Sequence, residues 1–256
     1  MQEGHSFDRM ISFVVPAHNE QAWLGRCLSA IDEATRGFTI PCEKIVVDDS
    51  STDATASMGV EHGARVISVA HRQISASRNS GARAASGDVL FFVDADTLIT
   101  DQVVASALSA IDHGAAGGGC IPQFEGRIPF WFRMMYPILV FTMRRVINQT
   151  GGACLFCTRA AFNATGGFSE KHYAAEEDIW VKSLKRQGRF VVLPEPVITS
   201  GRSLRTQSFR TIAKVFLRLA LRGADGFRTR DAAELWYQPH REEPATNTSR
   251  SISPEN

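Results

Sequence analysis

Four short apolar runs in the first hundred residues constrain this chain more than any other feature. They are ISFVV (Ile11–Val15), KIVV (Lys44–Val47), RVISV (Arg65–Val69) and VLFFV (Val89–Val93). They are rich in β-branched and aromatic residues and do not alternate with polar ones, as expected of strands buried on both faces of a parallel sheet. Helical patterns lie between them. Leu24, Cys27, Leu28 and Ile31 fall at i, i+3, i+4 and i+7, one face of a helix. Asn19 stands at its expected N-cap, with Glu20 in the first turn. Ser51 or Thr52 offers a cap for the next helix. The Ala-rich stretch ISASRNSGARAASG ends at Gly87, a candidate C′ residue. Strand and helix alternate, so the first half is α/β with a mostly parallel central sheet.

Open sheets of this class bind ligands outside the carboxyl ends of their strands. Here those ends read PAHNE, DDSSTD, AHRQ and DADT. Three of the four carry carboxylates, and a charge is costly to bury unpaired. In an extended DAD segment, Asp94 and Asp96 point to the same side across Ala95. Two like charges converging on one point call for a cation. Mg²⁺ or Mn²⁺ suits, held by one or two carboxylates plus substrate phosphates. The competing reading is a polar loop whose aspartates cap a helix. In DDSSTD, capping explains Ser51, Thr52 and Asp53 but not Asp48 beside Asp49; one carboxylate there can accept hydrogen bonds from a base or ribose. A third acidic cluster is Glu176, Glu177 and Asp178, ahead of a helical pattern and the strand-like GRFVVLPE. Acids at a helix start suit the macrodipole; crowded carboxylates also make a general base.

The 256 residues suffice for one large domain or a domain with a small appendage, and a net charge of +1 gives no reason to expect nucleic acid as a partner. The five cysteines are odd in number and MQEGHSFDRM has no secretory character, which fits a reduced, cytoplasmic compartment. Cys154 and Cys157 read as buried free thiols. No uncharged apolar stretch is long enough for a transmembrane helix. The nearest, residues 128–147, is broken by Arg133 and Pro137. Its Trp131, Phe132, Met134, Met135 and Tyr136 suit an interfacial anchor or an apolar acceptor site. From Gly201 to Arg230 there are eight Lys/Arg and one acid, a net +7. Arg210, Lys214, Arg218 and Arg222 recur every four residues opposite an apolar stripe. Residues 209–222 therefore read either as a basic amphipathic helix for an anionic membrane surface or as a helix packed on the domain with a solvated basic face. Residues 239–256 read as a disordered tail.

Taken in order, VVPAHNE, VVDDSSTDAT, ASRNSGARAASGDVLFFVDADT and GGFSEKHYAAEED resemble glycosyltransferase family 2 of the GT-A (Rossmann-like) fold. The similarity runs roughly from Ile11 to Pro196. It implies a nucleotide-diphospho-sugar donor, a divalent metal and inverting transfer to an unidentified acceptor hydroxyl. By this resemblance Pro16, Ala17, Asn19 and Glu20 cradle the nucleotide, and Asp49 contacts the base. Arg78 and Asn79, with Gly81, lie near the diphosphate and sugar. Asp96, assisted by Asp94 with Ala95 between them, holds the metal. Asp178, with Glu177 beside it, supplies the base, and Gly151, Gly152 and Ala153 form a small-residue turn by the sugar and acceptor. The QxxRW segment of processive members is absent, which disfavours a polymer synthase; Arg202 or Arg205 is a candidate clamp on the diphosphate. The expected division is a catalytic domain over 1–200 (donor half 8–100, acceptor half 101–200), a basic segment over 201–238 and the tail. The expected acceptor is lipid-linked or a small molecule, and the expected location is the cytoplasm, with peripheral attachment at the inner face of a membrane as the hypothesis. Two alternatives are a nucleotide-sugar-binding protein without catalysis and a sugar nucleotidyltransferase. The latter lacks its Gly-rich basic loop, since PAHNEQAW contains neither Gly nor Lys.

Overall fold

The computed structural model describes residues 9–172 and 176–202. The stretches expected to be amphipathic (209–222) and disordered (239–256), and Arg205, lie outside the described residues.

The four apolar runs form β1 (Ile11–Ala17), β2 (Cys42–Asp49), β3 (Arg65–Val69) and β4 (Val89–Val93). They pair in parallel in the order β3-β2-β1-β4. The connections are α1 (Leu24–Thr35), α2 (Thr55–Glu61) and α3 (Ile74–Ala84). Leu24, Cys27, Leu28 and Ile31 are all buried, as the helical spacing required.

After β4 come β5 (Thr97–Leu98), α4 (Asp101–Asp112), β6 (Ala115–Gly119) and β7 (Pro122–Glu125). Next, α5 (Phe130–Phe141) runs on into a π-helical turn, Thr142–Val146. Then follow β8 (Cys154–Thr158), α6 (Arg159–Thr165), α7 (Glu176–Gln187), β9 (Arg189–Val192) and β10 (Val197–Ser200). The main sheet has the order β3-β2-β1-β4-β8-β6-β9, with β8 antiparallel to both neighbours. A small sheet, β5-β10-β7, flanks it. β5 begins one residue after Asp96, and β10 ends two residues before Arg202, so this sheet brings those two positions together.

Successive strand residues face opposite sides, so VLFFV feeds two cores. Phe91 stacks between Phe13 and Phe156 on one face, at centroid distances of 5.0 and 5.7 Å. Phe92 meets Phe168 and Trp180 on the other, at 4.9 and 5.6 Å. Cys154 and Cys157 are buried free thiols, as expected. The glycine run of β6 is a strand because its neighbours come very close. A Cβ on Gly117 would lie 2.9 Å from Cys157 Cα, and one on Gly119 would lie 2.8 Å from Cys154 O.

The helix ends depart from expectation. α1 starts at Leu24, with Trp23 rather than Asn19 at its N-cap. Asn19 adopts a left-handed φ of 55° instead. α2 is capped by neither Ser51 nor Thr52; Asp53 Oδ1 accepts from Thr55 N at 3.0 Å. α3 ends at Ala84 with an extended Ala85, so Gly87 is not a left-handed C′ residue. Gly87 is small for another reason: a Cβ there would lie 2.6 Å from Met10 O.

Candidate active site

The loops after β1 and β2 are stitched together. Asn19 N donates to Ser51 Oγ at 2.9 Å, and Thr52 N donates to Asn19 Oδ1 at 2.8 Å. Glu20 N donates to Thr55 Oγ1 at 2.8 Å. The left-handed Asn19 turns the chain out of β1 after the buried Pro16 and Ala17, so their strand end opens beside Asp48 and Asp49. This shared loop floor sits where open sheets bind nucleotides.

Asp49 is buried and its carboxylate is already engaged. Arg72 N donates to Oδ1 at 2.7 Å, while Gln73 N and Ser77 Oγ donate to Oδ2 at 3.1 and 2.8 Å. From the end of β2 it therefore fixes the turn that leads into α3 and pins Ser77 in that helix's first turn. Asp48 Oδ1 is buried and has no hydrogen-bond partner among the described residues. The open acceptor at this strand end is thus Asp48, which the sequence reading placed beside Asp49 without giving it the part. Asn79 is likewise occupied. Its Nδ2 donates to Phe168 O and Glu170 Oε1 at 2.9 and 2.8 Å, and its Oδ1 accepts from Phe168 N at 2.8 Å. It holds the loop leading toward α7.

Asp94, Ala95 and Asp96 form a turn rather than an extended segment, closed by Thr97 N donating to Asp94 O at 2.9 Å. The two carboxylates are brought near one another by this turn, not by the alternation of a strand. Oxygen donors alone are a hard ligand set, and two carboxylates fit Mg²⁺ or Mn²⁺ completed by phosphate oxygens. Among the described residues no group of three His, Cys, Asp or Glu side chains is gathered as a metal cage. Burial pushes the Asp96 carboxyl up to about 7; Asp94 and Glu20 add to the rise, against the pull of Arg202 and Thr199. Such crowding favours a cation at Asp96. In this structure Arg202 supplies one: its guanidinium lies 3.4 Å from Asp96 Oδ2 and grips both oxygens of Glu20, one of them at 2.8 Å.

The centre of the site is Arg78, on α3 and only 1% exposed. Its Nη2 donates to Asp94 Oδ1 at 2.9 Å and to Gly152 O at 3.2 Å, and its Nη1 to Glu176 Oε1 at 3.5 Å. Phe168 lies under the guanidinium, 5.3 Å from it. One cation thus ties the Asp94–Asp96 turn to the first residue of α7. Burial raises the proton affinity of Glu176 and Glu177; Glu177 raises that of Glu176 further, and Arg78 opposes both shifts. Gly152 leaves room for Glu177, since a Cβ there would lie 2.8 Å from Glu177 Cγ. Asp178 Oδ1 accepts from Gln149 Nε2 at 2.6 Å, which fixes the carboxyl's orientation.

The structure therefore gathers Glu20, Arg78, Asp94, Asp96, Gly152 and Glu177, with Asp178 on the same helix end. Sequence reasoning missed Glu176 as the partner of Arg78 and Gln149 as the holder of Asp178. Neither had a local signal beyond lying next to a motif.

The chain is similar to known proteins in sequence and in fold. Over 129 residues the chain is 34% identical to a validoxylamine A glucosyltransferase of Streptomyces hygroscopicus, covering 47% of this chain and 30% of that protein. Over 110 residues it is 32% identical to a dolichol-phosphate mannosyltransferase of Pyrococcus furiosus, covering 41% and 31%. The matches thus span under a third of those relatives' own lengths. Among solved structures, the mannosyltransferase PcManGT of Pyrobaculum calidifontis, in complex with GDP-Man and Mn²⁺, superposes with a TM-score of 0.60 at 19% identity, covering 90% of this chain and 74% of that one. Glucosyl-3-phosphoglycerate synthase of Mycobacterium tuberculosis, in complex with Mn²⁺, UDP and phosphoglyceric acid, gives 0.59 at 22%, covering 84% and 78%. These are GT-A folds. The model of glycosyl transferase family 2 matches residues 12–166, more than half of the chain, and the chain belongs to that family.

Proposed function

We infer that the protein is a metal-dependent, inverting, non-processive glycosyltransferase that moves a sugar from a nucleotide-diphosphate donor to an acceptor hydroxyl. The observation that carries this reading is the bridge through Arg78. It joins the carboxylate turn at Asp94 to the acidic start of α7, two residues before Asp178. The nucleotides and Mn²⁺ in complex with two structural neighbours support it.

The base and ribose occupy the joined β1 and β2 loop floor, at Pro16, Ala17, Asn19 and the Asp48–Asp49 strand end. A divalent cation on Asp96 and Asp94 would neutralise the leaving diphosphate as a Lewis acid. Arg78 holds Asp94 in place and keeps the acidic start of α7 close. Arg202 neutralises Glu20 and Asp96 and would serve as the cationic clamp on the diphosphate. Asp178, oriented by Gln149, takes the acceptor's proton while that oxygen attacks the anomeric carbon from the face opposite the diphosphate. The new C–O bond forms as the bond to phosphate breaks, so the configuration inverts without a covalent intermediate, unlike the two-carboxyl hydrolases. The acceptor hydroxyl belongs to a lipid-linked or a small molecule.

The test is turnover with UDP-, GDP- and dTDP-sugars, followed by NMR of the product's anomeric configuration. Inverted product is expected. Asp178→Asn should keep donor binding and lower transfer by about 10²-fold or more. Retained configuration, or unchanged turnover in Asp178→Asn, would remove Asp178 from this role.

A further inference from the structure

Among the described residues, most of the exposed large hydrophobic side chains lie on the outer face of α5 and the turn after it. Phe130, Met134, Ile138 and Phe141 recur at helical spacing and are 77%, 62%, 70% and 64% exposed. The π-helical turn and the residue after it extend this stripe with Val146 and Ile147, both more than half exposed. The opposite side of the same helix is anchored. Phe132 and Tyr136 pack on Phe124 of β7, with centroids 5.5 and 5.6 Å away. The helix is therefore held in place with its apolar stripe turned outward, and ordinary soluble surfaces seldom carry such a stripe.

Charge decides what covers it. Between Gly126 and Thr150 there are four arginines and no carboxylate. Arg144 is spent on Leu193 O and Pro194 O, while Arg127, Arg133 and Arg145 are exposed around the stripe. A second copy of this face would set these arginines against their own kind. The stretch from Gly201 to Arg230, at net +7, has the same sign. An anionic bilayer matches both the apolar stripe and the cationic collar.

We propose that the outer face of α5 and its π-helical turn docks on an anionic lipid surface, with the apolar stripe in the interface and Arg127, Arg133 and Arg145 at the headgroups. Two residues after Ile147 comes Gln149, whose amide holds Asp178. Docking therefore sets the acceptor side of the site against the membrane, and the acceptor is an amphiphile presented there. This last step rests on the glycosyl-transfer reading; the docking itself does not.

The test is co-sedimentation of the full chain with vesicles containing about one third anionic lipid, against wholly zwitterionic vesicles. Binding to the anionic vesicles alone is expected. The double variant Met134→Glu/Ile138→Glu changes two exposed side chains and should bind about tenfold more weakly or worse, with its thermal shift by UDP or GDP plus Mn²⁺ unchanged. A wild-type chain left in the supernatant would overturn the proposal. So would a double variant that sediments like wild type, which would assign attachment to 209–222. Self-association that disappears in the double variant, without vesicle binding, would overturn it in favour of a second copy. If neither nucleotide shifts the wild type, the glycosyl-transfer reading fails while the vesicle result still judges the docking.

Discussion

Arg78 Nη2 donates to Asp94 Oδ1 at 2.9 Å from inside α3, where the guanidinium is almost wholly buried. The same group reaches Glu176 and the carbonyl of Gly152. Burial alone would lower its proton affinity, yet Asp94, Glu177 and Glu176 outweigh that and raise it. Removing one member of a buried charge cluster strands the others. Arg78→Ala should therefore cost about 3 kcal/mol or more and lower the melting temperature by roughly 6–12 °C. A thermal melt checks this; a wild-type Tm would mean that the cluster adds little to the fold.

Asp96 gives a pH dependence with a definite sign. Its carboxyl is raised from 3.8 to about 7, chiefly by burial. An acid whose proton affinity rises on folding lowers stability as pH climbs from its unfolded value through its folded one. Asp96→Asn removes that loss. With divalent metal chelated, the variant should melt a few degrees above wild type near pH 8, and the gain should shrink toward zero near pH 4. A variant that melts lower near pH 8 would show that the ties to Arg202 and Thr199 outweigh the burial.

Much of this was legible in the sequence. The runs at Arg65–Val69 and Val89–Val93 coincide with β3 and β4, and Leu24 to Ile31 face the core, because hydrophobic periodicity is a local signal. The helix caps were not legible. Asp49 holds the turn into α3 across 23 or more residues, and Asn19 serves the β2 loop instead of its own helix. The Gly-rich β6 carried no strand signal of its own, because the close approach of β8 and β9 that demands small residues is a tertiary fact. The carboxylates of the site stood out at the strand ends. Their cationic partners did not: Arg202 meets Glu20 across 182 residues, and Arg78 meets Glu176 across 98.

Gly152 separates positioning from binding. Its Cα faces the Glu177 side chain, and an added methyl would displace that carboxylate. Gly152→Ala should lower kcat by about 10²-fold while leaving the donor KM within roughly threefold, since misplacement by an ångström is enough. Steady-state kinetics with a saturating acceptor check this. A KM rise with unchanged kcat would place Gly152 in donor binding alone.

In the proposed reaction Asp96 holds a metal on a nucleotide diphosphate. The most direct measurement of that hold is the thermal shift produced by UDP-, GDP- and dTDP-sugars with and without Mn²⁺, in wild type and in Asp96→Ala. At least one donor should raise the wild-type Tm by several degrees, as expected for ligand at about 100 times its Kd, and only when Mn²⁺ is present. Asp96→Ala should lose the shift. The account is contradicted if no donor stabilises the wild type, or if the metal-dependent shift persists unchanged in Asp96→Ala.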